Sequence, residues 1–126
     1  MAERYIISID QSTQGTKALL FDQSGSLMKR TDKPHRQIVN EKGWVSHDPT
    51  EIYENVIEVV RMLTEDIDKS KVAGIGISNQ RETSLAWDRV SGEPLGNAIV
   101  WQCARAASIC ERVERKGQAE NIRKKT

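Results

Sequence analysis

Residues 5–22 read YIISIDQSTQGTKALLFD, and this stretch decides the fold. Residues 5–9 and residues 17–22 are short apolar runs, and a polar loop joins them. Runs of this length, bounded by turn residues, are typical of β-strands. A turn at Gly25 and a third possible strand, residues 26–33, follow directly. We therefore expect the chain to begin with an antiparallel meander of three strands.

The clearest helix signal begins at Asp48. Asp48 is suited to cap a helix, Pro49 fits the first helical position, and Glu51 stands where a capping box places its acid. Apolar residues then recur at helical spacing, namely Ile52, Val56, Val59, Val60, Leu63 and Ile67. This pattern predicts an amphipathic helix of about four turns.

The second half of the chain alternates between short apolar runs and turns. We interpret residues 72–78 as a buried strand, and its glycines as sites of close packing. Residues 84–87 and 98–101 are predicted to be short strands, and residues 104–113 a helix that ends at Gly117. A hairpin-led sheet backed by helices belongs to the α/β class.

The composition narrows the possible functions. With 126 residues, 37% of them hydrophobic, the chain has the size and make-up of one globular domain. Nineteen basic and eighteen acidic residues leave a net charge of +1, which gives no reason to expect binding to nucleic acid or to an anionic membrane. Any phosphate must therefore be bound locally, by a loop and one or two cations.

The two cysteines and two histidines suggest no metal centre. Cys103 and Cys110 would lie roughly 10 Å apart on a helix, beyond disulfide reach. We therefore interpret both as buried free thiols of a cytoplasmic protein. His35 and His47 are isolated in the sequence, and we expect both of them on the surface or in loops.

The loop of residues 10–17, DQSTQGTK, has two interpretations. Its hydroxyls, its glycine and Lys17 can bind a phosphate, and Asp10 at the end of the strand can hold Mg²⁺. Many ordinary hairpins carry the same residue types for turn formation alone. The loop by itself does not decide between these alternatives.

Two further segments place polar or aromatic residues after a predicted strand. Arg81 and Glu82 offer adjacent donors and acceptors, which suits the hydroxyls of a small polyol. Trp101 offers a flat apolar face for the carbon chain of such a ligand. The alternatives are a solvated surface turn for the charged pair and a core or rim aromatic for Trp101.

Together, these three segments resemble the FGGY family of carbohydrate kinases, and the glycerol kinases within it most closely. The resemblance extends from residue 6 to about residue 113 and includes the stretch GWVSHDP at residues 43–49. It implies a metal role for Asp10 and polyol binding by Arg81, Glu82 and Trp101. It also implies contacts to the phosphates of ATP from Thr13, Gln14, Gly15 and Lys17. Ser12 departs from the usual glycine of the phosphate motif.

The resemblance also implies a fold, an activity and an extent. The fold is the ribonuclease H-like fold of the actin-like ATPases, and residues 1–126 are expected to be a truncated part of the first of two kinase domains. The full-length protein would use ATP and Mg²⁺ to convert glycerol to glycerol 3-phosphate in the cytoplasm, as a homo-oligomer. The family's catalytic base lies in a downstream Asp-Gln pair, so this segment is expected to be inactive alone.

Two other functions remain open. Residues 79–83, NQRET, differ from the Gly-Gln-Met-His-Gly-like stretch of xylulokinases, but the opening loop is less typical of glycerol kinases. An FGGY kinase for another sugar, such as a ketopentose, is therefore an alternative. A stand-alone, non-catalytic binding module is the other.

Overall fold

The computed structural model describes residues 3–126. The strands and helices, in chain order, are β1 (Tyr5–Gln11), β2 (Gly15–Phe21), β3 (Leu27–Pro34), β4 (Ile38–Val39), β5 (Val45–His47), α1 (Pro49–Thr64), β6 (Val72–Ser78), β7 (Ala98–Ile99), α2 (Ala107–Arg115) and α3 (Ala119–Arg123). Short 3₁₀ turns precede β6, at Lys69–Lys71, and α2, at Ala104–Ala106.

Four strands form the main sheet in the order β3-β2-β1-β6. β1, β2 and β3 pair antiparallel, which confirms the predicted meander, whereas β6 lies parallel to β1. A parallel neighbour requires a long crossover, and α1 lies in that crossover. This α/β arrangement, a hairpin-led sheet with a crossover helix, is the predicted fold class.

Helix α1 covers one face of the sheet. Asp48 caps it, since its Oδ1 accepts a 2.9 Å hydrogen bond from the Thr50 N–H, and Pro49 stands at its first position. Glu51 does not complete a capping box but pairs with Arg36. The main core contains Tyr5, Ile7, Ile9, Ala18, Leu20, Val59 and Leu63. Every second side chain of β1 and β2 therefore packs against the apolar stripe of α1, and the predicted helix is confirmed.

A second, smaller sheet has the order β4-β5-β7 and is antiparallel. The prediction of a strand over residues 84–87 was wrong. Ser84 and Trp87 make single bridges to Ile99 and Pro94, and neither bridge extends into a ladder. Most side chains of the hairpin at residues 84–97 are exposed, and the described chain provides no packing that would extend these bridges into a ladder.

β6 is a strand, as predicted, but it is not buried. Helix α1 packs over β2 and β3 more than over β1, and leaves β6 uncovered. Ile75 and Ile77 are consequently exposed, Ile77 by 67%. A Cβ built at Gly74 or Gly76 meets nothing within 4 Å, so the expectation of close packing at these glycines was also wrong for the described residues.

Gly117 lies past the end of α2, as predicted. Its φ of 68° suits a glycine, and its N–H bonds to the Glu114 carbonyl. The helix begins at Ala107, later than predicted. Among residues 3–126, no helix is long and apolar enough to cross a membrane.

The predicted environments of the cysteines and histidines were largely wrong. Both cysteines are free, but Cys110 is exposed and Cys103 is half-buried. His35 and His47 are buried, with ring centroids 5.9 Å apart. His35 directly follows β3, and His47 is the last residue of β5. Tertiary packing brings the two rings together.

Candidate functional site

The carboxyl ends of β1 and β6 lie side by side and open into a cleft. Parallel strands place the residues that follow them at one edge of the sheet, where α/β proteins commonly bind ligands. The cleft has a volume of about 430 Å³. Its lining residues are Asp10, Ser12, Thr13, Ser78, Asn79, Gln80, Arg81, Glu82 and Trp101.

The β1–β2 loop forms one wall of this cleft. Ser12 closes the turn, because both its N–H and its Oγ donate to the Gly15 carbonyl at 2.9 Å. Asp10 and Lys17 are cross-strand partners, and Lys17 Nζ lies 4.0 Å from Asp10 Oδ2. Both side chains are about half-exposed, so the carboxylate and the ammonium remain available to a ligand.

Gly15 is needed for strand packing. It is buried in β2, and a Cβ there would overlap with the Lys33 carbonyl oxygen and lie 3.0 Å from Pro34 Cα. Its φ is not in the left-handed region, so the need for glycine here comes from close packing and not from backbone conformation.

The turn after β6 forms the opposite wall. Glu82 has a φ of 62°, and among residues 3–126 no other non-glycine residue has a φ in the left-handed region. Such a conformation is unfavourable for a side chain with a Cβ and is enriched at functional sites, although it also occurs in ordinary turns. Together with Arg81, it presents a carboxylate and a guanidinium at the cleft.

Trp101 also lines the cleft and contacts the wall formed by the β1–β2 loop. It follows β7, and its indole N–H donates a 2.8 Å hydrogen bond to Thr13 Oγ1. The residue is 54% exposed and lines the cleft, so its side chain is accessible to a ligand there. A residue predicted to contact polyol thus touches a residue predicted to contact phosphate.

The site residues predicted from sequence divide into two groups. Asp10, Thr13, Arg81, Glu82 and Trp101 come together around the cleft, although up to 91 positions separate them. The others, Gln14, Gly15 and Lys17, lie beside the cleft on the same hairpin and do not line it.

Sequence reasoning missed a pair of glutamines between the walls. The Gln80 N–H donates to Gln11 Oε1 at 3.2 Å, and Gln11 Nε2 donates to Gln80 Oε1 at 3.4 Å. The signal for Gln80 was its position inside the polar segment after β6, but no local pattern shows that it is buried.

An arginine stabilises the rim beyond Trp101. Burial works to raise the pKa of the Cys103 thiol, but hydrogen bonds from Arg105 and from the Val45 N–H outweigh it and lower that pKa. Arg105 also donates to Ser46 Oγ at 2.6 Å. Arg105 therefore ties the segment after β7 to β5.

Comparison with known protein families identifies the family to which this fold belongs. A profile of the FGGY family of carbohydrate kinases, N-terminal domain, matches residues 5–126. The chain belongs to the FGGY family.

Among its relatives, glycerol kinase 2 of Thermotoga maritima is 46% identical over 125 residues, and the glycerol kinase of Caldanaerobacter subterraneus is also 46% identical over 125 residues. Each alignment covers 98% of this chain and 25% of the relative. The chain therefore spans about a quarter of the length of these relatives.

Solved FGGY kinase structures share the fold. Gluconate kinase from Lactobacillus acidophilus superposes with a TM-score of 0.87 at 31% identity, covering 96% of this chain and 24% of that structure. Plasmodium falciparum glycerol kinase with ADP superposes with a TM-score of 0.79 at 37% identity, covering 90% and 23%. The predicted ribonuclease H-like fold, as the N-terminal portion of an FGGY kinase, is thereby confirmed.

Proposed function

We propose that this chain forms the phosphate- and polyol-binding wall of an ATP-dependent kinase that converts glycerol to glycerol 3-phosphate. The observation that carries the proposal is the single cleft shared by Asp10, Thr13, Arg81, Glu82 and Trp101. The identity of 46% to glycerol kinases, over nearly the whole chain, supports glycerol as the substrate.

The polyol is held by three side chains in this proposal. Arg81 donates hydrogen bonds to the glycerol hydroxyls, and Glu82 accepts hydrogen bonds from them. Trp101 packs its exposed face against the carbon chain. Fixing both the polar and the apolar side of a three-carbon substrate presents one hydroxyl to the transferring phosphoryl group, and this alignment is a large part of catalysis in phosphoryl transfer.

The loop of residues 10–17 fits a nucleotide and its metal. The Asp10 carboxylate and the hydroxyls of Ser12 and Thr13 are hard oxygen donors of the kind that Mg²⁺ prefers, and they line the same wall. Mg²⁺ would neutralise charge on the phosphates of ATP. Lys17, with Thr13, Gln14 and the backbone around Gly15, would contact those phosphates.

The proton acceptor for the reacting hydroxyl lies outside this proposed wall. Neither Asp-Gln pair of the chain is placed to serve, since Asp10 is given the metal and Asp22 ends the far side of the hairpin, where it accepts hydrogen bonds from Ser24 and Ser26. We expect the base and the adenine pocket in the further three-quarters of a kinase of the relatives' length, and we expect that protein to work in the cytoplasm as a homo-oligomer.

A kinase for another sugar is the second candidate. Xylulose kinase from Lactobacillus acidophilus superposes with a TM-score of 0.86 and gluconate kinase with 0.87, both above the value for the glycerol kinase structure. Kinases named for larger sugars or sugar acids thus share this fold. Assay of a full-length protein carrying this segment against glycerol, xylulose and gluconate separates these candidates, and glycerol should give the highest kcat/KM.

The Arg81→Ala substitution tests the polyol-binding role. Loss of charge-assisted hydrogen bonds should lower kcat/KM for glycerol by about 10- to 100-fold, and the KM for ATP should stay the same. Arg89→Ala is a matched control, because Arg89 lies in the exposed hairpin outside the cleft lining. Unchanged glycerol kinetics in Arg81→Ala would exclude the proposed role of this residue.

A further inference from the structure

Gln80 is the buried residue of an otherwise open segment. Every other residue from 73 to 97 is half-exposed or exposed, whereas Gln80 is 8% exposed. Burying a carboxamide costs free energy unless hydrogen bonds compensate for lost water. The position of this segment against the rest of the molecule therefore depends strongly on what Gln80 contacts.

Gln80 contacts Gln11 in both directions. Its backbone N–H donates to Gln11 Oε1 at 3.2 Å, and its Oε1 accepts from Gln11 Nε2 at 3.4 Å. We call this pair the Gln11–Gln80 clamp. Gln11 directly follows Asp10, and Gln80 directly precedes Arg81, so the clamp joins the two walls of the cleft behind their ligand-binding side chains.

A buried polar cluster lies behind Gln11. Gln11 Nε2 and Thr16 Oγ1 each lie 3.2 Å from His35 Nε2. The backbone N–H of His35 also donates to the Gln14 carbonyl at 2.9 Å, which holds the β1–β2 loop. On the other side of the ring, Asn55 Nδ2 lies 3.1 Å from His35 Nδ1 and donates to the Pro34 carbonyl at 3.0 Å.

These contacts determine the hydrogen positions. The bond from Asn55 to a carbonyl identifies its amino group, so His35 Nδ1 accepts a hydrogen bond. The neutral ring then carries its proton on Nε2 and donates to Thr16 Oγ1. Gln11 keeps its two amino hydrogens for the Ser12 carbonyl and for Gln80 Oε1. His35 Nε2 and Gln11 Nε2 are then both donors, so their 3.2 Å approach is not a hydrogen bond, and Gln80 Nε2 is buried without a hydrogen-bond partner among the described residues. Burial and the nearby His47 both lower the pKa of His35, which favours the neutral ring, while Glu51 opposes them.

We propose that Gln11 and Gln80 are positioning residues, whose clamp sets the distance between the phosphate- and metal-binding loop and the polyol-binding pair Arg81 and Glu82. This inference rests on the proposed function. β6 has β1 as its one neighbour in the sheet of the described chain, and the turn after β6 leaves that ladder at Ser78. Beyond the last pair of this ladder, Asp10 and Ser78, the clamp keeps the segments that follow β1 and β6 next to each other.

The kinetic test uses a full-length protein carrying this segment. Gln11→Met and Gln80→Met keep side-chain length but remove the carboxamides. Gln11→Met should raise the KM for glycerol by about tenfold, with the melting temperature and the KM for ATP little changed. Gln80→Met should raise it less, because its backbone N–H can still donate to Gln11 Oε1. Because Gln11→Met already removes both hydrogen bonds of the clamp, the double variant should be no worse than Gln11→Met alone. Gln37→Met is the control, since Gln37 makes an exposed 3.4 Å hydrogen bond to Gln102 outside the cleft lining.

A second measurement does not depend on activity. In the 126-residue chain, Gln11→Met should speed hydrogen exchange of the Gln80 N–H at least about tenfold, while the amides of Ile7 and Leu20 keep their protection. Failure of the wild-type protein to phosphorylate glycerol would exclude the proposed function, and the exchange result would still decide the clamp. Unchanged Gln80 exchange, or additive effects of the two substitutions on the KM for glycerol, would overturn the inference.

Discussion

Glu82 adopts a backbone conformation that most side chains avoid, with a φ of 62°. The cost of this conformation is of the order of 1 kcal/mol or more, and glycine does not incur it. Neither the amino-acid composition nor the hydrophobic periodicity of residues 79–83 predicts this positive φ. The observation adds to the proposed role of Glu82, since backbone strain at a cleft is commonly retained for function.

Two substitutions at Glu82 separate backbone strain from side-chain chemistry. Glu82→Gly should be more stable than Glu82→Ala by about 1 kcal/mol, because alanine keeps the unfavourable φ and glycine does not. Chemical denaturation of both variants measures this difference. Both lack the carboxylate, so glycerol phosphorylation should be lost equally in full-length proteins. An alanine variant as stable as the glycine variant would contradict the left-handed turn.

The buried histidines predict a pH dependence of stability. Burial is the main cause that lowers the pKa of His35 and of His47 below the usual value of about 6.5. The unfolded chain therefore binds protons at a higher pH than the folded chain does. This stability is complete above about pH 6.5 and falls as the pH decreases through the folded pKa values.

Denaturation at several pH values measures this effect. The free energy of unfolding should fall by about 1 kcal/mol or more from pH 7 to pH 5. Carboxylates whose pKa is lowered lose their contribution to stability at a lower pH, so the change between pH 7 and pH 5 comes mainly from the histidines. The double variant His35→Asn, His47→Gln should show a flatter profile, and an unchanged slope in that variant would assign the effect to other groups.

At the scale of elements, the hairpin of β2 and β3 depends on close backbone approach at Gly15. Gly15→Ala would force the β3 backbone at Lys33 to move, so the free energy of unfolding should fall by about 2 kcal/mol or more. Gly76→Ala is the matched control, because it lies in a strand with nothing within 4 Å of its Cβ. Equal thermal stability of the two variants would contradict the close β2–β3 packing.

Helices and strands with strong local signals were predicted well. α1 has a capping carboxylate, a proline at its first position and an apolar stripe, and all three act within one turn or one face. The hairpin at residues 84–97 was predicted less well, because short apolar runs do not reveal whether a partner strand is available to extend a ladder.

At the scale of the whole molecule, β6 leaves apolar side chains uncovered. Ile75 and Ile77 lie on the same face of this edge strand as the core residues of β1, beyond the reach of α1. An uncovered apolar strand at a sheet edge favours association with other chains. The isolated 126-residue chain should therefore self-associate as its concentration rises.

Sedimentation or light scattering over a concentration series measures this association. The double substitution Ile75→Lys, Ile77→Lys should shift the chain toward monomer, whereas Val90→Lys, in a turn where the side chain is 96% exposed, should not. A wild-type chain that stays monomeric at all concentrations would show that this face does not drive association.

The amino-acid sequence by itself determined the opening meander, helix α1, the α/β class and the family resemblance. These features depend on residues close to one another along the chain. Asp10, Arg81, Glu82 and Trp101 were predicted because each stands beside a strand signal and because their segments resemble those of FGGY kinases. The tertiary structure alone decided that these residues share one cleft and that Gln11 pairs with Gln80. It also decided that His35 is buried and β6 is not. Burial and pairing depend on which distant segment packs against a residue, and no local pattern contains that information.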